Sequence, residues 1–142
     1  MRAKLGAYYF FLTIAIASAA TMMLDDKEIA KRLIGTWSTD PSDLGPITAT
    51  VTYKANGTGT QVIRPRGEPE TASVRVTTRW SITNAVLHMT STASSDPQRI
   101  PVGINLKDRI ISISADKFEC EPLDGYGETN GKRETRIRKK AP

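Results

Sequence analysis

The chain has 142 residues, of which 39% are hydrophobic and 25% are charged, and its formal net charge is +5. Two of the 20 basic residues and none of the 15 acidic residues lie in the first 20 positions, so the rest of the chain carries 18 − 15 = +3. So small an excess is far from the basic character that binding to a nucleic-acid backbone requires, and we expect no nucleic-acid partner. The remaining length of about 120 residues suits one compact domain.

Residues 1–20 have the three parts of a secretory signal peptide. Arg2 and Lys4 precede an apolar run at residues 5–17, and small residues follow at positions 17–20. The apolar run is shorter than the roughly 20 residues of a membrane-spanning helix. We therefore expect cleavage after Ala19 or Ala20, no stable membrane span afterwards, and a mature domain of residues 21–142 in the periplasm or outside the cell. An uncleaved N-terminal anchor is the alternative.

The first element predicted for the mature chain is a short helix over residues 25–33. Asp25 and Glu28 have the spacing of a capping box, and Ile29 and Leu33 fall on one face. Two turns of helix are not stable alone, so this helix should pack on the rest of the domain as a lid or plug.

After Trp37 the apolar residues recur with a period of two, which predicts half-buried strands. The residues between the apolar runs favour tight turns at Asn56-Gly57, at residues 83–85 and at Lys107-Asp108, with polar loops at 64–70 and 91–98. Apolar alternation predicts strands around residues 47–53, 59–63, 74–83, 87–89, 100–106, 111–113, 118–121 and 133–138. Sequential hairpins favour an all-β fold, a small antiparallel up-and-down barrel of about eight strands whose closure removes exposed edges.

Three runs of sequence lie in the order found in one family: residues 33–37 (LIGTW), 53–59 (YKANGTG) and 79–87 (RWSITNAVL). Together they resemble the lipocalin-like (calycin) domains of bacteria, although Thr78-Arg79 stands where relatives often have a glycine before the second Trp. The resemblance implies that Gly35 and Trp37 are structural, with Trp37 closing one end of the barrel. It also implies that an arginine near the C-terminus covers this indole, as Arg136, Arg138 or the neighbouring Arg133 would do.

The residues that carry chemistry are sparse. His88 and Cys120 are each the only residue of their type, so the sequence predicts no metal site, no cofactor and no internal disulfide. The acid pairs at residues 25–26 and at Glu119 and Glu121 are interpreted as a helix start and a solvated strand face. We therefore expect a protein that is not an enzyme. Cys120 is interpreted as a buried apolar residue of a monomer, with a Cys120-linked dimer as the alternative.

The inward-facing residues of the predicted barrel are either a filled core or the lining of a cavity, and small or polar inward positions such as Thr78 favour some open volume. The candidate cavity-lining residues are Tyr53, Trp80, Ile82, Leu87 and Met89. These observations favour an exported binding protein that holds a small apolar or amphipathic ligand. One alternative is a protein-binding module. Periplasmic protease inhibitors of bacteria have a similar small calycin barrel, and this resemblance implies that residues 21–24 would enter the protease. The other alternative is an envelope structural or stress protein that docks through the basic run at 132–140.

Overall fold

The computed structural model describes residues 24–40, 45–124 and 131–140, so the predicted signal peptide at 1–20 lies outside the described residues. Within these described residues, one helix precedes eight strands, and a short 3-10 turn, Glu70–Ala72, lies between the third strand and the fourth. The elements are α1 (Asp26–Leu33), β1 (Gly35–Thr39), β2 (Ile47–Tyr53), β3 (Thr58–Pro65), β4 (Val74–Thr83), β5 (Val86–Ser94), β6 (Asn105–Ile113), β7 (Lys117–Leu123) and β8 (Glu134–Arg138).

The eight strands form one closed barrel in which each strand pairs antiparallel with the next. The barrel closes where β1 pairs with β8, and Trp37 lies opposite Val51 on one side and Arg138 on the other. The predicted all-β, up-and-down barrel of about eight strands is confirmed.

One end of the barrel, which we call the closed end, carries α1 and the three shortest connections, at residues 54–57, 84–85 and 114–116. Asp25 caps α1 by accepting a hydrogen bond from the Glu28 amide at 2.8 Å. The carboxylate of Asp26 accepts two more, at 2.9 Å each, from the amides of Asn84 and Ala85. Both turn residues have positive φ, as a type I′ hairpin turn requires. The two hydrogen bonds of Asp26 therefore attach the helix to this hairpin turn.

Trp37 fills the closed end. Its side chain is fully buried, and its Nε1 donates a hydrogen bond of 2.8 Å to the Leu33 carbonyl at the end of α1. The indole packs edge-on against Phe118, with ring centroids 4.9 Å apart. The Arg138 guanidinium lies over the same indole, 4.1 Å from the ring centroid, and donates to the carbonyls of Arg32, Ile34 and Ala115. The closed end is thus both packed and hydrogen-bonded.

Gly35 is required by its surroundings as well as by its backbone. Its φ of +132° is a conformation that residues with a side chain rarely adopt. A Cβ at this position would overlap the Arg138 guanidinium. The glycine therefore makes room for the arginine that covers Trp37.

At the other end, which we call the open end, the connections are longer, spanning residues 40–46, 66–73, 95–104 and 124–133. The predicted strand over 100–106 is largely wrong, because only residues 105 and 106 belong to β6 and the preceding residues form the connection. The turn predicted at Lys107-Asp108 is also wrong. Lys107 pairs with His88 and Asp108 with Leu87 in an uninterrupted antiparallel ladder.

The only cysteine, Cys120, is 1% exposed and lies in β7 within the core. The interpretation as a buried residue is confirmed. The Cys120-linked dimer is not supported, because a sulfur enclosed in the barrel cannot reach a second chain.

Candidate ligand-binding site

The open half of the barrel contains an apolar cavity of about 170 Å³. Its walls are inward-facing side chains of β3, β4, β5 and β6 and of the connection over residues 95–104. The lining residues are Gln61, Ile63, Val76, Thr78, Met89, Ser91, Ile100, Ile104 and Leu106. None of these nine side chains is ionisable, so the cavity offers an apolar surface with a few uncharged polar groups.

Three of the lining side chains are hydrogen-bonding groups, and all three are buried. The Ser91 hydroxyl donates to the Pro101 carbonyl and accepts from the Ile104 amide, at 2.9 Å each, so it fixes the 95–104 connection over the cavity. The Gln61 amide donates from Nε2 to the Met89 sulfur at 3.4 Å. Thr78 is 3% exposed, and its Oγ1 has no hydrogen-bond partner.

The rim above this cavity is apolar and open to solvent. Val102 is 54% exposed, Leu106 48% and Ile104 37%. Ile104 and Leu106 also line the cavity, so the apolar wall continues from the interior to the surface. An apolar ligand could reach the cavity along this continuous surface.

A cluster of ionisable side chains lies inside the barrel on β6 and β8. Arg136 on β8 donates from Nη2 to Glu134 Oε2 at 2.5 Å, and the two side chains are 18% and 30% exposed. Burial raises the pKa of Asp108 to about 6, with Glu134 adding to the rise and Arg136 opposing it. The pKa of Arg136 is raised: burial disfavours its charge, but Glu134, Cys120 and Asp108 favour it more strongly together.

Tyr53 connects this charged cluster to the cavity wall. Burial raises the pKa of its phenol, and the charge of Asp108 raises it further, so the hydroxyl remains protonated. It donates to the Met89 sulfur at 3.7 Å, the same atom that accepts from Gln61. The Met89 sulfur therefore accepts hydrogen bonds from two protein donors.

A second, wider cleft of about 410 Å³ opens on the opposite half of the same end. It is lined by Thr39, Gly45, Pro46, Ile47, Ala49, Lys132, Arg133, Glu134 and Arg136. Two of its basic side chains are paired with acids, since Arg133 lies 3.3 Å from Glu121 and Arg136 is bound to Glu134.

The cavity-lining residues proposed from the sequence lie in different parts of the barrel. Of the five proposed cavity-lining residues, only Met89 lines the apolar cavity; Tyr53 and Leu87 belong to the buried core. Trp80 and Ile82 are partly buried and pack against that core. Trp80 donates from Nε1 to the carbonyls of residues 54 and 58, which holds the β2–β3 turn.

Of the arginines proposed to cover Trp37, Arg138 is the one that lies over the indole. Arg136 instead belongs to the charged cluster inside the barrel, together with Glu134. Sequence reasoning missed Gln61, Ser91 and Asp108 as inward-facing residues. Gln61 lies in phase with Gly59 and Ile63 on β3, so strict alternation along that strand would have placed it inside.

Comparison with known proteins finds no matching family model and no relative among the curated proteins. Within residues 24–40, 45–124 and 131–140, no helix has the length and apolar character needed to cross a membrane. In the same part of the chain, no group of three or more His, Cys, Asp or Glu side chains is placed to hold a metal ion.

Proposed function

We propose that this chain is an exported, lipocalin-like binding protein that holds a small amphipathic ligand in the apolar cavity at the open end of its barrel. The observation that carries the proposal is the cavity itself, an apolar space of about 170 Å³ that continues to an exposed apolar rim. The space opens to solvent at this rim, so a small molecule could enter it without displacing a strand. Export rests on the signal-peptide pattern of residues 1–20, and the family on the three sequence motifs and the eight-strand barrel.

The size of the cavity limits the ligand. An apolar protein cavity of about 150 Å³ accommodates benzene. The ligand, or the part of it that enters, is therefore on the order of six or seven carbon atoms. A long-chain fatty acid would leave most of its chain outside this space.

A binding role suits the surrounding chemistry better than catalysis. The one histidine, His88, alternates with the inward-facing Leu87 and Met89 on β5 and pairs across the sheet with Ser81 and Lys107. It therefore lies on the outer face, away from the cavity, where it could not act as a general base on a bound ligand.

The test is an NMR titration of the protein with benzene as the probe. We expect chemical-shift changes to concentrate on the methyl groups of Ile63, Met89 and Ile104. Ile63→Phe fills the cavity with a ring and should weaken binding at least about ten-fold, since the probe and the new side chain compete for the same volume.

The matched control is Val62→Phe, on the same strand and on its opposite face, where Val62 pairs with Thr50 and Arg75. This variant should bind benzene as the wild type does. Absence of binding by the wild type, or equal affinity in Ile63→Phe, would contradict the proposed function.

A further inference from the structure

The apolar cavity has a polar inner end and an apolar outer end. β3 and β5 run from the closed end toward the open end, whereas β4 and β6 run the other way, so Gln61, Thr78 and Met89 form the deeper layer of the lining. The outer layer is apolar apart from one serine and consists of Ile63, Val76, Ser91, Ile100, Ile104 and Leu106. A ligand that matches this order enters with its polar group first.

The deeper layer has hydrogen-bonding capacity that the protein does not use well. The Thr78 hydroxyl can donate one hydrogen bond and accept others, yet its Oγ1 makes none. The Gln61 amide donates to a thioether sulfur, which is a weak acceptor. Ser91, by contrast, uses its hydroxyl on Pro101 and Ile104. Thr78 lines the cavity but its Oγ1 is turned toward Gly59, so a rotation about χ1 would bring the hydroxyl to the polar group of a ligand, beside the Gln61 amide.

The ligand group that reaches this layer should carry no charge. Among the described residues, none that lines the cavity has an ionisable side chain, and an ion buried without a counter-charge is strongly disfavoured. The partly buried Arg136 is bound to Glu134 and lines the opposite cleft instead. A carboxylate or an ammonium group in the cavity would be left without an ionic partner.

We propose that the cavity selects an uncharged small amphiphile, a ring or chain of about six carbons with a single hydroxyl, bound with the hydroxyl inward against Thr78 and Gln61. The apolar end of the ligand then lies against Ile104 and Leu106 at the rim and covers part of their exposed surface. This inference rests on the proposed function, since it specifies the ligand of the same cavity. Thr78 is the residue that determines specificity for the hydroxyl.

The test compares phenol with benzene, two probes of nearly equal size that differ by one hydroxyl. The wild type should bind phenol more tightly than benzene in NMR titrations. Thr78→Val keeps the shape of the side chain without its hydroxyl and should weaken phenol about ten-fold, while the affinity for benzene changes less than about two-fold. Thr78→Ser keeps the hydroxyl and should retain the preference for phenol.

The results of these titrations distinguish a failure of the proposed hydroxyl site from a failure of the proposed binding function. If benzene binds but Thr78→Val leaves the ratio of the two affinities unchanged, the hydroxyl site is refuted and the cavity function stands. If neither probe binds the wild type, both proposals fall. If the wild type prefers benzene to phenol, the hydroxyl site is likewise refuted.

The orientation has its own measurement. Intermolecular nuclear Overhauser effects should connect the ortho protons of phenol to the Thr78 methyl group and the para proton to the methyls of Ile104 and Leu106. The reverse pattern, with the para proton against Thr78, would overturn the inward placement of the hydroxyl.

Discussion

The two ends of the barrel differ in how well their polar groups are supplied with hydrogen-bond partners. At the closed end, the Trp37 indole nitrogen, the Arg138 guanidinium and the Asp26 carboxylate each have hydrogen-bond partners. In the open half of the barrel, partial burial raises the pKa of Asp108, and Thr78 Oγ1 is the one buried side-chain polar atom of the described residues without a partner. A sequence selected for stability alone would not retain such groups, and their position fits the binding function that we propose for this part of the barrel.

The largest change in stability is expected from a substitution at the closed end. Trp37→Ala removes a fully buried indole that packs on Phe118 and supports Arg138. We expect the free energy of unfolding to fall by about 3–5 kcal/mol in urea denaturation, because a cavity replaces the ring. The control is Trp80→Ala, which removes an indole that is only partly buried and should cost less. Equal losses in the two variants would show that Trp37 is not the anchor of this end.

A substitution in the charged cluster should raise the free energy of unfolding, in contrast to the loss expected for Trp37→Ala. A folded-state pKa of about 6 lies above the value of about 3.9 in an unfolded chain, so the folded protein binds more protons between these values. The contribution of Asp108 to the free energy of unfolding therefore decreases as pH rises from about 4 to 6 and stays low above that. Asp108→Asn removes the buried charge and should stabilise the protein at pH 7 by roughly 1–3 kcal/mol.

The measurement for Asp108→Asn is the difference between variant and wild type in urea denaturation across pH 4–7. That difference should be small at pH 4 and grow toward neutral pH. Asp116→Asn, in the exposed β6–β7 turn, removes a carboxylate outside the cluster and serves as the control. A difference independent of pH would mean that the stability gain does not arise from the ionisation of Asp108.

The smallest effect concerns the same hydroxyl that is proposed to bind the ligand. Without ligand, Thr78→Val replaces a buried, unpartnered hydroxyl by a methyl group and should raise the free energy of unfolding by about 1 kcal/mol. Differential scanning calorimetry of the unliganded protein measures the change. A lower melting temperature in Thr78→Val would show that the hydroxyl already contributes to stability and that the two ends do not differ in this respect.

Much of the fold was predictable because local patterns and tertiary structure agree. Period-two alternation located most strands, and Asn84-Ala85 behaves as a tight hairpin turn with two positive φ angles. The capping residue of α1 is Asp25, as its spacing from Glu28 predicted. These features depend on residues close together in sequence, so their signals could be recognised without a structure.

The candidate site was much less predictable, because its signals come from distant strands. Lys107-Asp108 looks like a turn between two apolar runs, and only the approach of Arg136 from β8 explains a carboxylate facing inward. A register shift between Ile110 and Ser112 also changes which residues of β6 face the core. The volume of the cavity depends on how side chains of four strands fit together, which no single strand reveals.

The pairing of β1 with β8 also has a kinetic consequence. The first strand finds its last partner about 100 residues later, since Trp37 lies opposite Arg138, and closing so long a loop is entropically slow. Until β8 has been synthesised, one edge of β1 and one edge of β7 are without their neighbours. When β8 pairs with β1, Arg138 hydrogen-bonds the carbonyls at the end of α1 and covers the Trp37 indole at the same time. Barrel closure and burial of the core should therefore form a single late step in folding.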